Sequence, residues 1–155
     1  MPTTPGGIYF PDGNTNADFV SIFSTVAASI DAAINNFTYD SGWVDVQPDD
    51  FVNDWETYNT TGSRVRYRKI GKITYLDGIT RRGTGTDVFT LPTDFRPVEV
   101  WANFAVPVAV STNNTYGHSA RLRVTAAGVV QVYQATQANR DSGIGLSGVS
   151  FISDD

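Results

Sequence analysis

Turn-forming residues cut most of this chain into pieces that suit strands better than helices. Glycine occurs 14 times and proline 7 times in 155 residues, and between these breaks apolar and polar side chains alternate. Val65 and Tyr67, then Ile73 and Tyr75 beyond an Ile70-Gly71 turn, follow the period of two that marks a half-buried strand. The other face of the first run is Arg64, Arg66 and Arg68. Asp87 to Leu91 reads as a strand stopped by Pro92, and Phe95-Arg96-Pro97 as a corner, because proline fixes φ and cannot continue a ladder. Val98 to Phe104 alternates again. Leu122 and Val124 face Val130 and Val132 across Ala126-Ala127-Gly128 as a hairpin, and Val149 to Ile152 closes the series. The expected fold is mainly β. It is a β-sandwich or jelly roll of seven or eight short antiparallel strands over residues 41–155. Tyr67, Tyr75 and Phe89 are expected to point inward. Trp43 and Trp101 sit in strand patterns and are expected in the core or a subunit interface.

One stretch escapes the punctuation. Residues 16–37 contain neither Pro nor Gly, and Asn16 or Asp18 supplies a capping side chain. Phe19, Phe23, Val26, Ile30, Ala33 and Phe37 are spaced by alternating gaps of four and three, a heptad seam. The seam spans fewer heptads than a long coiled coil. It therefore fits either a helix laid across its own β domain or a helix that associates with copies of itself. Residues 1–15, rich in Pro, Gly, Thr and Asn, are expected as an extended arm.

Charge is segregated. Residues 1–63 hold nine acids and no Lys or Arg, whereas residues 64–82 hold seven bases and a single acid, Asp77. Such segregation brings an acidic segment to a basic one, within or between subunits. The basic run carries no nucleic-acid motif, and the chain is acidic overall, with a net charge of −5; no nucleic-acid partner is expected. The start of the chain has neither a basic region nor an apolar run, so no signal peptide is expected. No apolar run has the length of a membrane helix, and a soluble protein without membrane insertion is expected.

Catalysis finds little support. There is one histidine, His118, and no cysteine, which leaves no ordinary zinc site without carboxylates. Asp49 and Asp50 are adjacent, so in an extended chain they point to opposite faces. Gly143 to Gly148 fits a Gly-x-Gly-x-x-Gly pattern, but no strand and helix flank it, and it is expected as a loop. No cofactor and no enzymatic activity are expected.

From Ser41 to Ile152 the order of pieces resembles the C-terminal β domain of phage tail-fibre, baseplate and minor tail proteins. The pieces are Ser41-Gly42-Trp43, Val65 to Gly71, Ile73 to Gly78, Phe89-Thr90-Leu91-Pro92, Phe95-Arg96-Pro97, Leu122 through Val130, and Leu146 to Phe151. Phe10 to Ile34 is similar to the start of phage minor tail proteins, where a short helix precedes the β part. The resemblance implies a trimeric structural or receptor-binding virion component without a catalytic site; the expected role is a homotrimeric tail-fibre, baseplate or minor tail protein, assembled with other virion proteins, that binds host-surface saccharide. The shortness of the chain keeps a second role open, a capsid decoration or head-fibre protein.

Candidate sites follow. The seam Phe19, Phe23, Val26, Ile30, Ala33 and Phe37 would form the trimer contact. Ile8, Tyr9 and Phe10, an apolar triplet between Gly6-Gly7 and Pro11, would anchor the arm to the virion. Trp55, Tyr58, Tyr116 and His118 are candidate saccharide contacts, since an aromatic ring complements the apolar face of a pyranose. Arg64, Arg66 and Arg68 offer a basic interface face.

Overall fold

The computed structural model describes residues 16–59, 61–108 and 118–153, and their side chains apart from those of 16–20 and 36. The chain divides into two compact units, Met1–Thr38 and Tyr39–Asp155. In the first, α1 runs over Asn16–Thr38. Along it Ile22, Val26, Ile30, Ile34 and Phe37 are between 49% and 85% exposed.

The described strands of the second unit all pair antiparallel. Its strands are β1 (Val44–Asp45), β2 (Glu56–Thr57), β3 (Arg66–Ile70), β4 (Ile73–Asp77), β5 (Ile79–Arg81), β6 (Asp87–Thr90), β7 (Trp101–Pro107), β8 (Ser119–Thr125), β9 (Val129–Tyr133), β10 (Ile144–Gly145) and β11 (Val149–Ile152), with a short helix α2 (Gln137–Ser142) before β10. They form three sheets, ordered β1-β3-β4-β11, β10-β5-β2 and β6-β9-β8-β7. The mainly β expectation is met. β1 lies where Trp43 to Val46 reads as a short strand, whereas β2, β5 and β10, of two or three residues each, are too short to show a period and account for the excess over seven or eight. Gly143 to Gly148 is more than a loop: it contributes β10, and both Ile144 and Leu146 are fully buried.

All three sheets feed one core. Leu76 and Val149 come from the first, Ile144 from the second, and Val88, Phe89, Leu122, Val124, Val130 and Val132 from the third. Val88 and Phe89 are neighbours yet both buried, because a bulge between Asp87 and Phe89 shifts the register of β6 against β9.

The β3–β4 hairpin departs from the expected facing. Gly71 takes φ 56°, in the left-handed region that favours glycine, and Ile70 pairs directly with Ile73. That register puts Tyr67 opposite Leu76 and Lys69 opposite Thr74. The inner face of β4 is therefore Thr74 and Leu76. Tyr75, expected inward, shares the outer face with Ile73 and Asp77, and Ile73 is 40% exposed. Tyr67 does pack on the core, its ring 4.7 Å from that of Phe95 in an edge-on contact. Lys69, from the inner face, is buried and donates from Nζ to the Asp94 carbonyl at 2.9 Å.

Candidate functional site

A cavity of about 780 Å³ opens where β1, the 3₁₀ turn Pro48–Asp50, β2 and β5 meet. Val46, Phe51, Trp55 and Val65 give it an apolar floor, and Gln47, Tyr58, Asn59, Arg64 and Arg81 a polar wall. Asp49 and Asp50 lie in that 3₁₀ turn rather than in an extended segment, and Asp50 accepts a hydrogen bond from the Gln47 backbone N–H at 3.1 Å.

The walls are held by ion pairs. Arg64 meets Asp45 at 2.6 Å. Glu56 receives Arg81 at 2.9 Å and Arg82 at 3.1 Å. The Arg81 guanidinium also stacks over the Tyr58 ring at 4.9 Å, fixing that ring at the wall. The structure thus brings Trp55, Tyr58 and Arg64 to one hollow.

Trp55 does not serve there as an open stacking platform. It is only 3% exposed, and its Nε1 donates to the Gly85 carbonyl at 3.1 Å. Arg140 lies over the ring at 5.9 Å, and a Cβ placed on Gly83 would come within 1.8 Å of it. The indole is core, enclosed by the backbone of the loop that follows β5. His118 is exposed, precedes β8 and does not line the cavity. Tyr116 and the triplet Ile8, Tyr9 and Phe10 lie outside the described residues, as does the side chain of Phe19. The remaining seam residues Phe23, Val26, Ile30, Ala33 and Phe37 are all exposed along α1.

Arg64, Arg66 and Arg68 share the outer side of the first sheet as alternation requires, but each has its own carboxylate. Arg66 binds Asp77 through Nε at 2.9 Å and Nη2 at 2.7 Å. Arg68 grips both oxygens of Asp40. The hydrogen bonds from Arg68, reinforced by the Gly42 backbone N–H, lower the Asp40 carboxyl to about 2. Burial disfavours charge on Asp77, yet hydrogen bonds from Ser147 and Arg66 outweigh it and hold its carboxyl below the ordinary range. This basic segment meets part of the acidic one inside a single chain, and the resulting face carries little net charge.

Trp43 and Trp101, expected in the core or a subunit interface, both lie outside the core. Trp43 is 40% exposed, with the Arg66 and Arg68 guanidinium groups 4.6 and 5.9 Å from its ring. Trp101 is 55% exposed on β7. Among the described residues no three His, Cys, Asp or Glu side chains are grouped to hold a metal ion, and no helix is long and apolar enough to cross a membrane.

No family model and no curated protein sequence matches the chain. Its fold is similar to that of the receptor binding protein gp15 of Listeria phage PSA, with a TM-score of 0.59 over 93% of this chain and 83% of that one, at 15% identity.

Proposed function

We propose that this chain is a non-enzymatic bacteriophage virion protein of the tail-fibre, baseplate or minor-tail kind, a homotrimer that binds saccharide on the host surface. The observation that carries this reading is the fold shared with a phage receptor binding protein along almost the whole chain. A likeness that takes in 93% of this chain and 83% of that one supports a common fold. The cavity beside Tyr58 supplies chemistry of the right kind. It pairs an apolar floor with planar amide and guanidinium groups, the set that meets the two faces and the hydroxyl rim of a sugar. The exposed seam of α1 supports self-association, since three such stripes bury one another around a common axis.

The test has two parts. Antibody labelling of intact virions should place the protein on the tail, and purified chain should bind host cells with an affinity lowered about tenfold or more by Tyr58→Ala. Label on the shell, with tight binding to empty capsids and none to host wall, would replace this reading with a capsid decoration or head-fibre role.

A further inference from the structure

We infer that the outer face of β7, β8 and β9 is a second glycan-binding surface, built for an acidic polysaccharide, whose sugar ring stacks on Trp101 and whose acid group pairs with Arg121 and Arg123. The inference rests on the receptor-binding reading for its biological setting but uses none of the residues that line the Tyr58 cavity.

Pairing register defines the surface. Asn103 lies opposite Arg123 and Ala105 opposite Arg121, while on the other side Arg123 pairs with Gln131 and Arg121 with Tyr133. These residues share one side of the sheet with Trp101. The opposite side, Leu122, Val124, Val130 and Val132, is fully buried. One face therefore belongs to the core and the other presents an aromatic and two cations to solvent.

Both guanidinium groups are fixed in place by neutral partners. Arg121 donates from Nε and Nη2 to Asn103 Oδ1 at 3.1 and 2.8 Å. Arg123 donates from Nε to Gln131 Oε1 at 2.8 Å and from Nη2 to the Tyr133 hydroxyl. Its Cζ lies 4.8 Å from the Tyr133 ring and 5.7 Å from that of Trp101. The arginines between residues 64 and 82 differ in kind, for each of them has a carboxylate within reach. Among the described residues neither Arg121 nor Arg123 forms an ion pair. Asp87, the acid at the far end of this row, is occupied by Gln131 Nε2 at 2.6 Å. Two oriented guanidinium groups with no carboxylate in contact complement an anion, and guanidinium geometry suits a carboxylate or a phosphate.

The shape fits as well. A shallow hollow of about 310 Å³, lined by Asn103, Ala105, Ser119, Arg121 and Gln134 among others, adjoins the row. A small anion alone would need neither this hollow nor a half-exposed indole. A pyranose bearing an acid group uses all three features: the ring on Trp101, hydroxyls toward Asn103 and Gln134, and the charge on the arginines.

Affinity electrophoresis of the full chain separates the alternatives, with polygalacturonate, dextran or polyphosphate cast in the gel. Polygalacturonate should retard the protein and dextran should not. The double variant Arg121→Gln/Arg123→Gln and the single variant Trp101→Ala should each weaken retardation about tenfold or more, the scale of one lost charged hydrogen bond or ring stack. Circular dichroism checks that each variant is folded. Tyr58→Ala should run like the parent in polygalacturonate, which separates this surface from the cavity. Absence of retardation by polygalacturonate would overturn the inference while leaving the Tyr58 reading standing. Equal retardation by polyphosphate with no effect of Trp101→Ala would overturn it too, reducing the face to a general anion patch.

Discussion

Trp55 and Gly83 are a mutually dependent pair. The indole fills the core only because the backbone at Gly83 lies against its ring, where a methyl group would sit 1.8 Å from the nearest ring atom. Gly83→Ala must displace one or the other, and overpacking of this kind costs about 1–3 kcal/mol. Thermal unfolding followed by tryptophan fluorescence should show the midpoint several degrees lower. Asp40 makes a prediction in pH. Its folded pKa is depressed to about 2 from 3.8, so the stability it contributes is present above the unfolded pKa and is lost as pH falls from about 4 toward 2. Asp40→Asn should flatten that part of the urea-midpoint profile relative to the parent, and an unchanged slope between pH 4 and 2 would contradict the assignment. The three tryptophans also locate what was legible in the sequence. Trp101 is in phase with Glu99 and Asn103, and Trp43 with Asp45, so strict alternation places both on the polar side of their strands. A place in a strand pattern alone left the core and a subunit interface both open, and an arginine beside each ring suits the side away from the core. Trp55 has no strand period to read. Its burial depends on a loop some thirty residues downstream in sequence, which local pattern does not reveal.

Among the elements, the β3–β4 hairpin shows how a turn decides a face. The alternations before and after the turn are both real, but a two-residue connection through Gly71 and Lys72 fixes which members of each share a side. Tyr67 then faces Leu76, and Tyr75 goes out. A two-residue connection always pairs an odd-numbered residue with an even-numbered one, so carrying the odd-numbered phase of Val65 and Tyr67 through the turn to Ile73 and Tyr75 reverses the second strand, which is why the Arg64, Arg66 and Arg68 face was legible and the inner face of β4 was not. The strand order of the long runs, the corner at Pro92 to Pro97 and the closing strand β11 were all readable, because proline and β-branched residues act locally. β2, β5 and β10 were not, since strands of two or three residues take their pairing from tertiary neighbours. Gly71→Val tests the turn. A β-branched residue at φ 56° costs about 1–2 kcal/mol, so chemical denaturation should show the midpoint lowered with the slope unchanged. No loss of stability would mean that the turn adopts another geometry.

At the scale of the whole molecule, the question is what covers the α1 stripe. Val26, Ile30 and Phe37 are 49%, 53% and 85% exposed, and they recur at the heptad spacing that lets helices mesh side chain into gap. Apolar surface of this extent carries a free-energy cost of about 25 cal/mol per Å² left in water. Copies of the same helix relieve that cost symmetrically, and closed cyclic symmetry keeps the assembly finite. The β unit carries its own core from all three sheets, so it should remain folded whatever α1 does. Disrupting the seam should therefore change mass without unfolding the domain. Light scattering should report about three times the 16.8 kDa chain mass for the parent. The double variant Val26→Asp/Ile30→Asp should run near one chain mass and keep the β signature in circular dichroism, since an aspartate in each of three facing helices would bury three charges at one level. A parent that is monomeric at micromolar concentration would rule out the trimer. A variant that stays trimeric would move the contact from α1 to the β unit, where Ile70, Ile73 and Ile152, exposed and paired side by side across three strands, offer an apolar row.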